Sequence, residues 1–222
     1  LPVFALLFAC TPDRQAINVV PYPNEVTFRN GVYELSDLED IVYVQNGSLA
    51  EETYVIDVTR NGVRVEASGE RGYNYAMQTL LQMGSTLPCC HIEDAPRFSY
   101  RGLHLDEARH FFGKEVVMKY LDIMAFHKLN AFHWHLTDDQ GWRIEIKKYP
   151  ELTSVGSVRN GTCIRRNYNT NDGIPYGEGM WYTQEDIKEI VEYAAAKGIE
   201  VIPEIDLPGH MLAALAAYPH LG

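Results

Sequence analysis

The sequence has no GxGxxG turn and no Walker-type phosphate loop after any of its apolar runs, which argues against the nucleotide folds built on those loops. It also has no excess of positive charge. Its 222 residues carry 19 Lys and Arg against 30 Asp and Glu, a formal net charge of −11. Nucleic-acid binding needs a basic surface that displaces counterions, so no nucleic-acid partner is expected. Cysteine is scarce, with four residues: Cys10, Cys89, Cys90 and Cys163. No pair of them has zinc-ligand spacing, and the neighbours Cys89 and Cys90 are poorly placed to bridge one another. The apolar run at residues 1–10 is too short to span a bilayer. What remains is an ordinary globular composition, 46% apolar and 22% charged, long enough for one medium domain or two small ones.

Residues 1–10, LPVFALLFAC, end on Ala9-Cys10 and are followed by the polar, turn-prone TPDRQ. A short apolar run closed by a small residue and a cysteine resembles the end of a bacterial lipoprotein signal, in which the cysteine becomes the lipidated N-terminus. A buried first strand is the alternative. No Met and no basic stretch precede the run, so the chain is expected to begin inside its own signal. This reading makes residues 1–16 a signal remnant and linker, Cys10 a lipid anchor to the membrane, and the bacterial cell envelope (periplasm or outer-membrane lipoprotein) the location.

Two regions follow. Residues 17–95 read as a small α+β domain. Val19 to Pro23 is an extended, proline-marked start, and Ile41–Val44 and Tyr54–Val58 are β-rich. Asn61-Gly62 between Tyr54–Thr59 and Val63–Ala67 signals a hairpin. Residues 71–83 place Tyr73, Met77, Leu80 and Leu81 on one helical face, with Gly84 as the cap. Residues 96–222 alternate strand and helix: strand Gly102–Leu105, helix Glu115–Lys128, strand Ala131–Leu136, helix from Thr183, strand Ile199–Ile205, and a further helix Met211–Ala217. Thr183 and Asp186 form a capping-box signal, and Ile187, Ile190, Val191 and Ala194 give that helix its apolar face. Such alternation builds a parallel sheet, either a barrel or a doubly wound one. The segment from Trp142 to Tyr182 is long and rich in Gly, Asn and Arg, and connections of that length are uncommon unless functional or disordered.

Each of the three strands runs into ionisable groups. The first meets Asp106, Glu107, Arg109 and His110; the second His133, His135, Asp138 and Asp139; the third Glu204, Asp206 and His210. In a β/α barrel the carboxyl ends of the strands build the active site.

The blocks RGLHLDEARHFF (101–112), KLNAFHWHLTDDQGWRIEIKKYPEL (128–152), WYTQEDIKEIVEYAAAKGIEVIPEIDLPGH (181–210) and AALAAYPHL (213–221) resemble consecutive blocks of the β-N-acetylhexosaminidase family of glycoside hydrolases. The resemblance implies a truncated (β/α)8 TIM barrel, with about three strands present, behind a small α+β domain. It implies retaining, substrate-assisted removal of terminal N-acetylhexosamine from glycans or chitooligosaccharides, in which the 2-acetamido oxygen attacks its own anomeric carbon and a Glu protonates the leaving oxygen. It implies an N-acetylhexosamine-terminated oligosaccharide as partner, and no metal and no organic cofactor.

Roles carry over where the motif is present. Arg109 takes the place of the arginine that grips the terminal sugar's hydroxyls. Asp138 and His210 take the places of the pair that supports the acid. Asp139, His135, Trp142 and Glu204 lie in the same blocks; Glu204 is a candidate for the floor of the site, and His133 and His135 share a strand face that packed core residues often occupy. The family's Asp-Glu pair, which orients the acetamido group and supplies the acid, belongs on a fourth strand beyond residue 222, so the 222 residues alone are expected to be inactive. Asp106-Glu107 lies on the first strand and is not assigned that role. Two other readings stand beside this one: a non-catalytic carbohydrate-binding protein, and a metal-dependent hydrolase using His133, His135 and Asp138.

Overall fold

The computed structural model describes residues 16–222 apart from Arg166 and Glu178, so the Cys10 reading lies outside the described residues. These residues form two compact units that divide between Pro96 and Arg97.

The first unit is a five-stranded sheet with one helix. Its strands are β1 (Glu25–Glu34), β2 (Val42–Gln45), β3 (Tyr54–Thr59), β4 (Gly62–Ala67) and β5 (Thr86–Asp94), and its helix is α1 (Glu70–Met83). The sheet order is β1-β5-β3-β4-β2, antiparallel throughout except for the β4–β2 pair. Period-two alternation turns Tyr54, Ile56 and Val58 of β3 and Val63, Val65 and Ala67 of β4 to one side, where they pack with Tyr75, Ala76 and Leu80 of α1. The helix face differs from the expected one. Gly72, Tyr75, Ala76, Thr79 and Leu80 are buried, while Leu81 is exposed. Gly72 permits the close approach of this face, because a Cβ there would lie 2.5 Å from the Thr53 carbonyl. Strands β1 and β5 were not anticipated. Asn30-Gly31 looks like a turn but sits in a bulge, where the β1–β5 register shifts and Gly31 has φ 118°. Cys89 and Cys90 are buried free thiols in β5.

The second unit carries the parallel sheet. Strands β6 (Gly102–Asp106), β7 (Ala131–His135) and, after the intervening segment, β12 (Glu200–Glu204) lie in the order β12-β7-β6. Helix α2 (Lys114–Phe126) joins β6 to β7. Between β7 and α4 (Gln184–Ala196) come β8 (Thr137–Asp138), β9 (Gly141–Trp142), α3 (Glu151–Ser154), β10 (Cys163–Ile164) and β11 (Asn167–Asn171); α5 (Leu212–Ala217) follows β12. The capping box at the start of α4 is present, with Thr183 and Asp186 each bonding the other's backbone N–H. Val117, Leu121 and Met124 of α2 and Ile190 and Ala194 of α4 pack on Phe132 and Trp134. Val191 is exposed, which narrows the expected apolar face of α4. Strands β6 and β12 each have one neighbour among the described residues.

Two buried groups fix the long connection between β9 and α4. Arg143, fully buried, donates to the carbonyls of Ser157 (2.7 Å), Met180 (3.0 Å) and Ala108 (3.1 Å). Glu107, also fully buried, accepts from the Phe112 N–H at 2.8 Å and from the Tyr182 hydroxyl at 2.9 Å. Burial pushes the Glu107 pKa up to about 7, against the opposing pull of these two donors and of Arg143. A folded-state pKa above the unfolded value means that folding favours the protonated form. The stabilisation is therefore full below about pH 4.5 and is lost as pH rises through about 7. Glu107→Gln keeps an acceptor and removes the titration. Thermal melts between pH 4 and 8 should show a flatter profile for the variant, with a relative gain on the order of 3 kcal/mol at the alkaline end. Parallel wild-type and variant profiles would contradict this assignment.

Candidate active site

Parallel register sets the geometry. Asp106 of β6 pairs with His135 of β7, and His135 pairs with Glu204 of β12, so three ionisable side chains stand side by side at the carboxyl ends of three strands. The turns beyond these ends bring in Asp138, Asp139 and Gln140 after β7, and Asp206 and His210 after β12.

Asp138 is the centre of the group, with 1% of its side chain exposed. Its Oδ2 forms an ion pair with Arg109 Nη2 at 2.6 Å and a hydrogen bond with His135 Nε2 at 2.9 Å. Its Oδ1 accepts the Asp139 backbone N–H at 2.7 Å and faces His210 Nδ1 at 3.3 Å. A carboxylate so buried is costly unless paired and hydrogen-bonded, and both oxygens here are engaged. His210 comes from the Pro208-Gly209 turn and has φ 54°, a left-handed conformation that a non-glycine residue adopts only under constraint. Its ring stays open, with 59% of the side chain exposed. The Asp138–His210 pair expected from the motif is thus assembled, buried on one side and accessible on the other.

Arg109 is held by its own neighbours. Nη1 reaches Asp106 Oδ2 at 2.9 Å, Nε donates to Gln140 Oε1 at 3.0 Å, and Nη2 meets Asp138. Its backbone carbonyl accepts from Arg159, whose guanidinium also stacks over Tyr176 at 3.6 Å. The Arg109 side chain remains 37% exposed, so a guanidinium of fixed orientation faces the solvent at the strand ends.

His133 and His135 are not an apolar-packed pair. His133 Nε2 and His135 Nδ1 approach the same oxygen, Glu204 Oε2, at 2.6 and 2.8 Å, and His104 Nε2 lies 3.8 Å from it. Burial works against a charge on His135, and the carboxylates of Glu204 and Asp138 on its two ring nitrogens outweigh it, so its pKa stands above the ordinary histidine value. Burial likewise opposes the charge on Glu204, and His135 and His133 hold its pKa below the ordinary range. Asp139 divides its contacts: Oδ1 accepts the Leu212 N–H at 3.2 Å and Oδ2 lies 3.6 Å from His210 Nδ1.

Trp142 is a core residue. It is 5% exposed, its indole N–H is donated to the Ile144 carbonyl at 2.7 Å, and it packs with Leu152, Ala213, Ala214 and Ala217. A metal site on His133, His135 and Asp138 does not fit this geometry. The Arg109 guanidinium is already 2.6 Å from Asp138 Oδ2 and 3.2 Å from His135 Nε2, where a divalent ion would face a fixed positive charge. His104, Gln140, Arg143 and Arg159 join these groups without being among the residues expected from the sequence. Gln140 and Arg143 stand inside the HWHLTDDQGWR block, while nothing local marks Arg159 as a partner of residues fifty positions away.

Comparison with known proteins agrees with this geometry. Residues 98–222 match the family model for the catalytic domain of glycosyl hydrolase family 20, and residues 37–95 match that family's domain 2. A beta-hexosaminidase of Porphyromonas gingivalis is 47% identical over 186 residues, covering 78% of this chain and 22% of its own length. One from Akkermansia muciniphila is 39% identical over 230 residues, covering 99% of this chain and 44% of its own. A family 20 exo-beta-N-acetylglucosaminidase from Vibrio harveyi, solved with N-acetylglucosamine, superposes with a TM-score of 0.81 at 36% identity, over 91% of this chain and 38% of that one. The chain therefore spans less than half the length of these relatives. Its parallel unit corresponds to part of the TIM barrel of its structural neighbours. The chain belongs to glycosyl hydrolase family 20.

Proposed function

We propose that the protein is a retaining β-N-acetylhexosaminidase that removes terminal N-acetylhexosamine from oligosaccharides by substrate assistance. The observation that carries this reading is the buried Asp138 carboxylate, fixed by Arg109 and His135 on one oxygen and facing the open ring of His210 on the other. In this reading Arg109 holds hydroxyls of the terminal sugar, and the Asp138–His210 pair supports the carboxylic acid that protonates the leaving oxygen. Asp138 Oδ1 faces His210 Nδ1 at 3.3 Å, which leaves Nε2 for the acid. The acid and the carboxylate that orients the acetamido group come from the longer chain that the relatives possess. The protein is anchored at the bacterial envelope by lipid on Cys10.

The full-length protein should hydrolyse a chromogenic N-acetyl-β-glucosaminide, and residues 1–222 alone should not; turnover by the 222-residue chain would overturn the division of roles. Arg109→Lys keeps the charge but loses the fork. It should lower kcat/KM of the full-length enzyme by about tenfold to a hundredfold, the loss of about 1.5–3 kcal/mol expected when a charge-assisted hydrogen bond goes. An unchanged kcat/KM would remove Arg109 from sugar binding. In a bacterial host, the full-length protein should incorporate labelled palmitate and partition into detergent, and Cys10→Ser should do neither; equal behaviour of the two would refute the anchor.

A further inference from the structure

Among the described residues, the contacts of Glu204 with His133 and His135 are not used by the reading above, and they extend its Asp138–His210 pair into a longer chain. It runs His133–Glu204–His135–Asp138–His210 and links the carboxyl ends of β7 and β12 with the turns that follow them. Its middle member, His135, is 4% exposed, and both of its ring nitrogens meet a carboxylate: Nδ1 lies 2.8 Å from Glu204 Oε2 and Nε2 lies 2.9 Å from Asp138 Oδ2. A neutral imidazole has one N–H and one lone pair, so it can satisfy only one of these contacts. Satisfying both requires the doubly protonated ring.

We propose that His135 and Glu204 are positioning residues for the Asp138–His210 pair: Glu204 holds His135 as an imidazolium that occupies Asp138 Oδ2 and leaves Oδ1 for His210. The proposal rests on the hexosaminidase reading and deepens it. Strand register supports it, since Glu204 and His135 are direct partners across β12 and β7 and their spacing is fixed by backbone hydrogen bonds. Two other charged groups act in opposite directions on His135: Arg109, whose Nη1 is 3.2 Å from Nε2 and opposes a charge on the ring, and Asp106, its register partner on β6, which favours one. The rings of His104 and His133 complete the surroundings, His104 at 5.7 Å from the His135 ring and His133 through the shared Glu204 oxygen. Three carboxylates thus face one guanidinium across this ring, and the charge balance favours the imidazolium. With Oδ2 occupied by two cationic donors, Asp138 presents a single oxygen to His210, and the His210 ring has one orientation to take.

The test is Glu204→Gln in the full-length enzyme, with steady-state kinetics from pH 4 to 9. Gln removes the charge that keeps His135 protonated and preserves the volume. Asp138 then carries less compensated negative charge, which raises its own proton affinity and that of His210. The expected result is a fall in kcat of about tenfold or more with KM changed less than twofold, and a pH profile of kcat displaced to higher pH. Glu204→Asp should restore the profile at least in part. His135→Gln serves as the second variant should Glu204→Gln not fold, and it should move the same profile in the same direction. A rise in KM with kcat unchanged would make Glu204 a substrate contact and overturn the proposal. A fall in kcat with the profile unmoved would reduce both residues to packing and overturn it equally. Absence of hexosaminidase activity in the wild-type enzyme would instead overturn the functional reading on which the proposal stands.

Discussion

A carboxylate with 1% of its side chain exposed stays ionised only if its surroundings replace the water it has lost, and at Asp138 that replacement determines much of the rest of the site. Arg109 and His135 converge on Oδ2, and a backbone N–H meets Oδ1. Each donor is itself fixed by something further out. Arg109 is held by Asp106 and Gln140, and His135 by Glu204. Asp106, His135 and Glu204 are register partners on three adjacent parallel strands. The charge network is therefore a consequence of strand pairing rather than of flexible side chains finding one another.

The segment between β9 and α4 depends on a second set of buried charges. Arg143 ties the carbonyls of Ser157, Met180 and Ala108 into one cluster, and Glu107 ties Tyr182 to the turn after β6. Arg159 adds the backbone of Arg109 to the same framework. A connection of forty residues would ordinarily be loose at the strand ends. Here it is anchored by guanidinium groups that spend their donors on main-chain carbonyls, and one of those carbonyls belongs to the residue read as the sugar grip. Gly141 shows how closely this is packed: a Cβ there would lie 2.2 Å from Arg143 Nη2, and Arg143 is pinned by three carbonyls.

The parts of this structure that could be read from sequence are those with local causes. The hairpin at Asn61-Gly62, the capping box at Thr183 and Asp186, and the three parallel strands follow from turn chemistry and from apolar runs ending in charge. The Asp138–His210 pair was legible only through a long motif resemblance, because the two residues lie on different strand ends and no periodicity connects them. The faces of α1 and α4 were misjudged at Leu81 and Val191, where an apolar side chain fits the helical period but the neighbouring elements do not cover it. Trp142 shares the motif with the site residues, but its indole N–H is committed to Ile144 and its ring to an alanine-rich core. The contacts of Glu204 have no local signal for a different reason. Its partners His133 and His135 are distant in sequence, and only the register of β12 on β7 brings them to one oxygen.

The contrast between the two ends of the Asp138–His210 pair carries a mechanistic consequence. Asp138 is buried and bound at both oxygens, while His210 projects an exposed ring from a residue in the left-handed region. Holding a non-glycine residue at φ 54° costs on the order of 1 kcal/mol, and that strain persists only where the surroundings fix it. The contact with Asp138 is one such constraint, and the Pro208-Gly209 turn is another. The proposed role of this pair as support for an acid fits this asymmetry: the inner end must not move, or the orientation of the ring is lost, and the outer end must be open to the acid it serves. Freedom at Asp138 would pass directly to the His210 ring. The donors that crowd Asp138 Oδ2 therefore constrain the His210 contact through geometry, by removing alternative positions for Oδ1, as well as through charge.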